Sequence, residues 1–148
     1  MDMASLQSIK DIQRLTGRLA ALNRFISKSA ERSLPFLKTL RGAKDFVWGP
    51  EQAATFESLK QHMSDLATLT SPDPTLPLLL YIAASHRAIS AALVQEKERE
   101  GKNQQCPIYY VSKVLTTSKC NMTELEKISY AVIMASRKLR HYFEAFKI

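Results

Sequence analysis

The sequence predicts an α+β fold, in which an N-terminal helical segment precedes a small, mainly antiparallel sheet packed on a long helix. Apolar residues recur at helical spacing through the first 66 residues and again after residue 121. Between these regions, short apolar runs at about 77–83, 88–95 and 108–111 are bounded by turn signals, which is typical of core strands.

The composition limits the class of protein. The chain has 148 residues and a net charge of +7, and its length predicts one or two small domains. No apolar run approaches the roughly 20 residues that cross a bilayer, and no apolar signal core begins the chain. We therefore expect a cytoplasmic or nuclear protein that has no membrane partner. Residues 1–44 hold nine Lys and Arg against three Asp and Glu, which suits a polyanionic partner, although a solvated helical surface explains the charge equally well.

The first helix is predicted from Ser8 to about Ser27, with Ser8 and Asp11 as an imperfect capping box. Its core-facing residues are Ile9, Ile12, Leu15 or Thr16, Leu19, Leu22 and Ile26. A second helix is predicted at 28–41, and a third begins at Pro50. The short extended piece between them carries Trp48, which we expect in the core.

The polar face of the first helix carries two neighbouring tracks. One is small or uncharged and consists of Gln13, Gly17 and Ala21. The other is basic and consists of Lys10, Arg14 and Arg18. A smooth track beside a basic one lets a nucleic-acid backbone approach closely. A glycine that is merely tolerated in a surface helix accounts for the same pattern.

The sequence of residues 12–26, IQRLTGRLAALNRFI, resembles the thumb helix of the reverse transcriptase of gypsy-type LTR retrotransposons, the plant members above all. The resemblance implies that Gln13 and Gly17 lie in the minor groove of the primer–template duplex. It predicts a surface that binds an RNA–DNA hybrid or duplex. The residues expected in this surface are Lys10, Gln13, Arg14, Gly17, Arg18, Arg24 and Lys28.

Later motifs extend the resemblance from about Ile9 to Ile148. Phe56–Lys60 matches a helical Phe-x-x-Leu-Lys motif of the family, and Tyr81–Ser85 resembles the first strand of its ribonuclease-H-like domain. The resemblance predicts a helical thumb and connection segment over 1–66 and a truncated ribonuclease-H-like domain over 67–148. That domain would have three to four strands.

The resemblance also identifies the positions where catalytic metal would bind. In the family, the first strand ends in Tyr-x-Asp-Ala-Ser and its aspartate is a metal ligand, but here Ala83 occupies that position. On the long helix, Ile128 replaces the second Glu of Glu-x-Glu, and the two remaining ligands would lie beyond Ile148. Because Mg²⁺ requires oxygen ligands, we expect no bound metal, no cofactor and no ribonuclease H activity.

Two alternatives stay open. Shifting the alignment would bring in Glu124 or Glu126 as a ligand, but it conflicts with the apolar stripe that we predict to face the core. That stripe consists of Leu125, Ile128, Val132, Ala135 and Leu139. The loss of carboxylates either relieves their mutual repulsion or reflects drift.

A second functional hypothesis is a host-used protein-interaction module. Because a truncated domain would lack some strands of the full sheet, its first strand would lie near an open sheet edge. Open edges recruit strands from other chains, so the chain would dimerise or bind a protein partner there.

Overall fold

The computed structural model describes residues 8–41, 49–64, 66, 68–99 and 101–148. The predicted extended piece with Trp48 lies outside these ranges. The helices and strands are α1 (Ile9–Ala21), α2 (Ser29–Arg41), α3 (Pro50–Ser64), β1 (Leu79–Ala84), β2 (Ala88–Arg99), β3 (Lys102–Val114), α4 (Thr117–Cys120), α5 (Glu124–Lys138) and α6 (Arg140–Ala145). The predicted α+β class is confirmed, because the described strands form one antiparallel sheet in the order β1-β2-β3.

Helices α1, α2 and α3 share one apolar cluster. Ser8 caps α1, since its hydroxyl oxygen accepts from the Asp11 amide at 3.2 Å. Helix α1 is shorter than predicted and ends at Ala21. The buried members of the cluster are Ile12, Leu15, Leu19, Ile26, Phe36, Phe56 and Leu59. The helical stripe predicted for α1 is therefore confirmed for its buried positions, since one face of the helix packs inward.

Strands β2 and β3 form a hairpin that is longer than predicted. The strands were predicted to end at about residue 95 and to resume at 108, but β2 continues to Arg99 and β3 begins at Lys102, and these two residues pair. Gly101 has a φ of 73°, the left-handed conformation that glycine adopts at no steric cost in a tight turn. The register shifts between Leu93 and Val94, whose partners are Tyr109 and Pro107. The mixed charges near the tip of the hairpin face solvent, so they do not prevent pairing of the two backbones.

A buried glutamine fixes the segment that leads into β1. The Gln95 side chain is fully buried on β2, and its oxygen accepts from the Asp73 amide at 2.7 Å. Its amide nitrogen donates to the carbonyl oxygens of Asp73 and Leu76 at 2.9 and 3.0 Å. A polar side chain can be buried here because both its amide oxygen and its amide nitrogen are hydrogen-bonded.

Helix α5 covers one face of the sheet with Ala135 and Leu139 of the predicted stripe, but not with the first three members of that stripe. Leu125, Ile128 and Val132, which were expected to face the core, are exposed by 74%, 38% and 41%. The buried positions of α5 are Lys127, Ala131, Met134 and Ala135, followed by Leu139 at its C-cap. The helix carries apolar residues on two sides, and small Ala131 and Ala135 allow the closer approach to the sheet. The helical spacing after residue 121 predicts one long helix, but this helix is interrupted at Leu139, between the end of α5 and the start of α6.

The helical cluster is hydrogen-bonded to the outer strand of the sheet. The Ser29 and Ser112 hydroxyls are 2.7 Å apart, and Ser112 accepts from the Ala30 amide at 2.9 Å. The Tyr110 amide donates to the Arg24 carbonyl oxygen at 3.1 Å. The division into 1–66 and 67–148 stays a prediction.

A fourth strand is not formed by the described residues. Lys147 nevertheless lies beside the start of β1, where its carbonyl oxygen accepts from the Leu78 amide at 2.8 Å. Across the described parts of the chain, no helix has the length and apolar character needed to span a membrane.

Candidate nucleic-acid interface

Helix α1 presents the predicted basic and small-residue tracks on its outer face. Lys10, Arg14 and Arg18 are all exposed, and each lies about one turn from the next. At 1.5 Å per residue, the row extends over about 12 Å. Because each strand of a duplex carries one phosphate per ~3.4 Å of axis, the row can reach three to four phosphates.

Gly17 lies at the centre of this exposed face, opposite the buried stripe. A Cβ atom added at Gly17 would meet no atom within 4 Å beyond the helix's own backbone. Packing therefore does not explain the glycine. Gln13 is exposed one turn earlier, so the structure leaves both predicted groove residues accessible.

The charge of the row is only slightly offset by its neighbours. Arg14 lies 3.8 Å from the Asp11 carboxylate in an ion pair whose side chains are 74% and 33% exposed. An exposed pair of this kind is worth little, at about 0–1 kcal/mol. The guanidinium of Arg14 can therefore exchange this partner for a phosphate at low cost.

Arg24 and Lys28 lie after α1, at the junction with the sheet. The Arg24 guanidinium is 4.9 Å from the ring centroid of Phe25 and 5.3 Å from that of Tyr109, within the range of cation–π attraction. Lys28 has a φ of 52° and lines a cleft with Glu31, Ala83 and other residues of α2 and the sheet. Both side chains are exposed, but neither belongs to the α1 row.

The two positions predicted to have lost metal ligands do not form a carboxylate site. Ala83 lines the cleft beside Lys28, and Ile128 is an exposed hydrocarbon on α5. Successive strand residues point to opposite faces, and Ile82 and Ala84 pack on the cluster that includes α5. Ala83 therefore lies on the face opposite to α5. Among residues 8–41, 49–64, 66, 68–99 and 101–148, no group of three His, Cys, Asp or Glu is arranged to hold a metal.

A second basic cluster was not predicted from the sequence. Lys113 Nζ donates to the Tyr130 hydroxyl at 2.9 Å, and Lys119 Nζ lies 3.8 Å from the centroid of the Tyr130 ring. Hydrogen bonds from Lys113 and then Lys119 lower the pKa of Tyr130 to about 8. The three residues come from β3, α4 and α5, so no spacing in the sequence indicates that they meet.

A surface cavity of about 220 Å³ was not predicted from the sequence either. It lies where α2 meets the β1–β2 turn and α4. Lys38, His86, Arg87 and Cys120 contribute to its lining, above an apolar floor that includes Leu34 and Leu115. Its residues come from four separate elements, and no motif in the sequence connects them.

Comparison with known proteins identifies the family. Residues 48–148 match the family described as the RNase H-like domain found in reverse transcriptase. The transposon Tf2-3 and Tf2-4 polyproteins of Schizosaccharomyces pombe are 26% identical over 136 residues, which is 92% of this chain. The chain spans about 10% of the length of these relatives.

Solved structures show the same fold. The foamy viral protease–reverse transcriptase dRH in complex with double-stranded DNA superposes with a TM-score of 0.77 and 22% identity, over 95% of this chain and 24% of that one. The same viral protein in complex with an RNA/DNA hybrid gives a TM-score of 0.75, over 93% of this chain and 18% of that one. At the two positions that the resemblance assigns to metal ligands of ribonuclease H, Ala83 and Ile128 carry hydrocarbon side chains, which offer Mg²⁺ no oxygen. The match over 48–148 nevertheless shows that this chain belongs to the family of RNase H-like domains found in reverse transcriptases.

Proposed function

We propose that this chain is a nucleic-acid-binding part of a retrotransposon reverse transcriptase. In this proposal the outer face of α1 binds the backbone of a duplex or an RNA–DNA hybrid. The observation that carries it is Gly17, an exposed glycine without packing partners, beside a row of three exposed cations. Complexes of a foamy viral protein with the same fold, one with DNA and one with a hybrid, support the choice of ligand.

We further infer that the ribonuclease-H-like portion is catalytically silent. Hydrocarbon at Ala83 and Ile128 cannot coordinate the ions that phosphodiester hydrolysis requires. A Mg²⁺-dependent cleavage assay on an RNA–DNA hybrid is expected to give no product. Product formation that disappears when Glu124 or Glu126 is changed to Gln would refute the inference.

We also propose a specific kind of retrotransposon as the source of the chain. The wording of residues 12–26 supports a gypsy-type LTR element of the plant-like kind. A chain with this role would act in the cytoplasm or the nucleus, where the nucleic acids of such an element are found.

The proposed binding is tested by a salt series. The affinity of the wild-type chain for a fluorescein-labelled hybrid is measured by anisotropy between about 50 and 200 mM salt, where phosphate contacts make binding fall steeply. The triple variant Lys10→Gln, Arg14→Gln, Arg18→Gln is expected to lower the slope of log K against log salt by about 2 to 3, at roughly 0.9 per phosphate contact.

A matched control has the same loss of charge elsewhere. Arg99→Gln, Lys102→Gln, Lys138→Gln removes three exposed cations from the hairpin and from α5. This control is expected to keep the wild-type slope to within about one phosphate contact. Equal losses in the two triple variants, or no binding by the wild type at low salt, would refute the role of α1.

A second candidate is pairing of β1 with the same strand of a second copy. It is favoured by the position of β1 at the edge of the described sheet, with Leu79 and Tyr81 exposed by 36% and 48%. Exposed edge strands of this kind pair with other chains. Analytical ultracentrifugation at increasing concentration tests it, and a dimer abolished by Leu79→Lys would support it.

A further inference from the structure

Three residues that are distant in the sequence converge at one corner of the sheet. Lys113 lies near the end of β3, Lys119 lies in α4, and Tyr130 lies in the second turn of α5. The Lys113 ammonium donates to the Tyr130 hydroxyl at 2.9 Å, while the Lys119 ammonium lies 3.8 Å from the centroid of the Tyr130 ring. Two positive charges are thus held around a single neutral acceptor.

The cluster has an excess of positive charge that the described residues do not neutralise. Within the described parts of the chain, the structure gives Lys113 and Lys119 no carboxylate partner. Glu126 lies one turn before Tyr130, but its carboxylate accepts from the amide and the hydroxyl of Thr123 at 2.7 and 2.9 Å. Lys127, which lies three residues before Tyr130 on α5, is a buried cation and not a carboxylate.

The response of Tyr130 shows that this corner already favours a negative charge. The bonds from Lys113 and Lys119 lower the pKa of the phenol to about 8 from its ordinary 10.0. An external anion that brings its own charge would satisfy both ammonium groups better than a neutral hydroxyl does. Phosphate oxygens are strong acceptors of charge-assisted hydrogen bonds.

We propose that Lys113, Lys119 and Tyr130 bind a phosphate group of a nucleic-acid backbone. The two ammonium groups would donate to non-bridging phosphate oxygens, and the Tyr130 hydroxyl would change from acceptor to donor. The inference deepens the proposed function, on which it rests for the source of the phosphate, by adding a contact on the sheet side. The open position of the cluster, with Lys113 exposed, suits a phosphate carried on a chain rather than an enclosed small ion.

The first experiment tests the site without duplex binding. The pKa of Tyr130 is followed by the NMR resonance of its ζ carbon, assigned with Tyr130→Phe. Dimethyl phosphate, a mimic of the backbone phosphodiester, is expected to raise the pKa from about 8 toward 10.0, because the bound anion competes with the phenolate. Sodium chloride at equal ionic strength is the control. No shift beyond the control would overturn the site, and a shift with inorganic phosphate alone would overturn its assignment to nucleic acid.

The second experiment measures affinity for the labelled hybrid. The variant Lys113→Gln, Lys119→Gln is expected to lower the salt slope by about 2 and to weaken binding roughly tenfold or more. The matched control Lys102→Gln, Lys138→Gln is expected to change the affinity by less than about twofold. Circular dichroism checks that both variants fold.

A third readout separates phosphate binding from a merely structural role. Wild-type affinity for the hybrid is expected to fall as pH rises through about 8, the pKa of Tyr130. Tyr130→Phe should retain the lysine contacts and lose this pH dependence. The salt series distinguishes failure of this inference from failure of the proposed function. If the double lysine variant keeps the wild-type slope of log K against log salt while the α1 triple variant has a reduced slope, this inference is refuted and the proposed function stands. Absence of hybrid binding by the wild type would refute the proposed function, and the dimethyl phosphate titration would still decide whether the site exists.

Discussion

Replacement of Gly17 separates its predicted role in binding from the alternative of a glycine merely tolerated in a surface helix. Because an added Cβ meets nothing within 4 Å at this exposed position, Gly17→Ala creates no clash inside the protein, and Gly17→Leu is expected to place its side chain in solvent. Both residues are far better helix formers than glycine, so each variant is expected to raise the free energy of unfolding by about 0.5–1 kcal/mol. The gain is measured by urea denaturation followed by circular dichroism.

Binding is expected to change in the opposite direction. A leucine at the centre of the exposed face would hold a duplex away from the cations of Lys10, Arg14 and Arg18, so Gly17→Leu should weaken hybrid binding at least tenfold, or about 1.4 kcal/mol. Gly17→Ala should weaken it less, in proportion to its smaller side chain. Ser58→Leu, an added leucine at an exposed position of α3, is the control and should bind like the wild type. A Gly17→Leu variant that is more stable and binds the hybrid with wild-type affinity would refute the reasoning.

Three further predictions concern the described fold. Gln95→Leu removes three hydrogen bonds and should lower the free energy of unfolding by about 3 kcal/mol, at ~1 kcal/mol each; a loss below about 1 kcal/mol in urea would contradict this. Thr123→Ala removes the cap of α5 and should cost about 1 kcal/mol, whereas Thr123→Ser should be neutral. The depressed pKa of Tyr130 means that the unfolded chain keeps this proton to higher pH, so the wild type should gain stability over Tyr130→Phe as pH rises from about 8 to 10.0. A pH-independent difference between the two unfolding curves would show that Tyr130 titrates normally.

The elements that could be predicted are those whose residues interact locally. The buried stripe of α1 was correct at Ile12, Leu15 and Leu19, because these residues repeat at helical spacing on only one side of the helix. Ile26 is buried as predicted, but it lies beyond the end of α1. The outward placement of Lys10, Arg14, Gly17 and Arg18 follows from the same periodicity. The positions of the strands were also predicted, although the two strands of the hairpin are longer than predicted. The polar residues near its tip give no apolar signal, so the sequence does not indicate that the strands continue there.

The orientation of α5 shows where this reasoning fails. Leu125, Ile128 and Val132 of the predicted stripe face solvent, whereas Ala135 of the same stripe is buried as predicted. The helix also packs through Ala131, which was not part of the predicted stripe. When a helix is apolar on two sides, periodicity cannot decide which side the sheet will cover. The steric fit of small residues against the strands decides it, and that fit exists only in the assembled core. The register argument against Glu124 and Glu126 as ligands therefore loses its support, although the hydrocarbon at Ala83 and Ile128 does not depend on it.

The sequence by itself determined the chemical identities on which the proposed binding by α1 rests: the row of cations on its outer face and the glycine at position 17. These are properties of single residues and of helical spacing, so they require no knowledge of the fold. Only the tertiary structure decided that Gln95 anchors the segment before β1 and that Lys113, Lys119 and Tyr130 share one corner. Contacts between residues on separate elements depend on how those elements pack. Packing is a property of the whole chain, so such a cluster of charge has no signature in any one stretch of it.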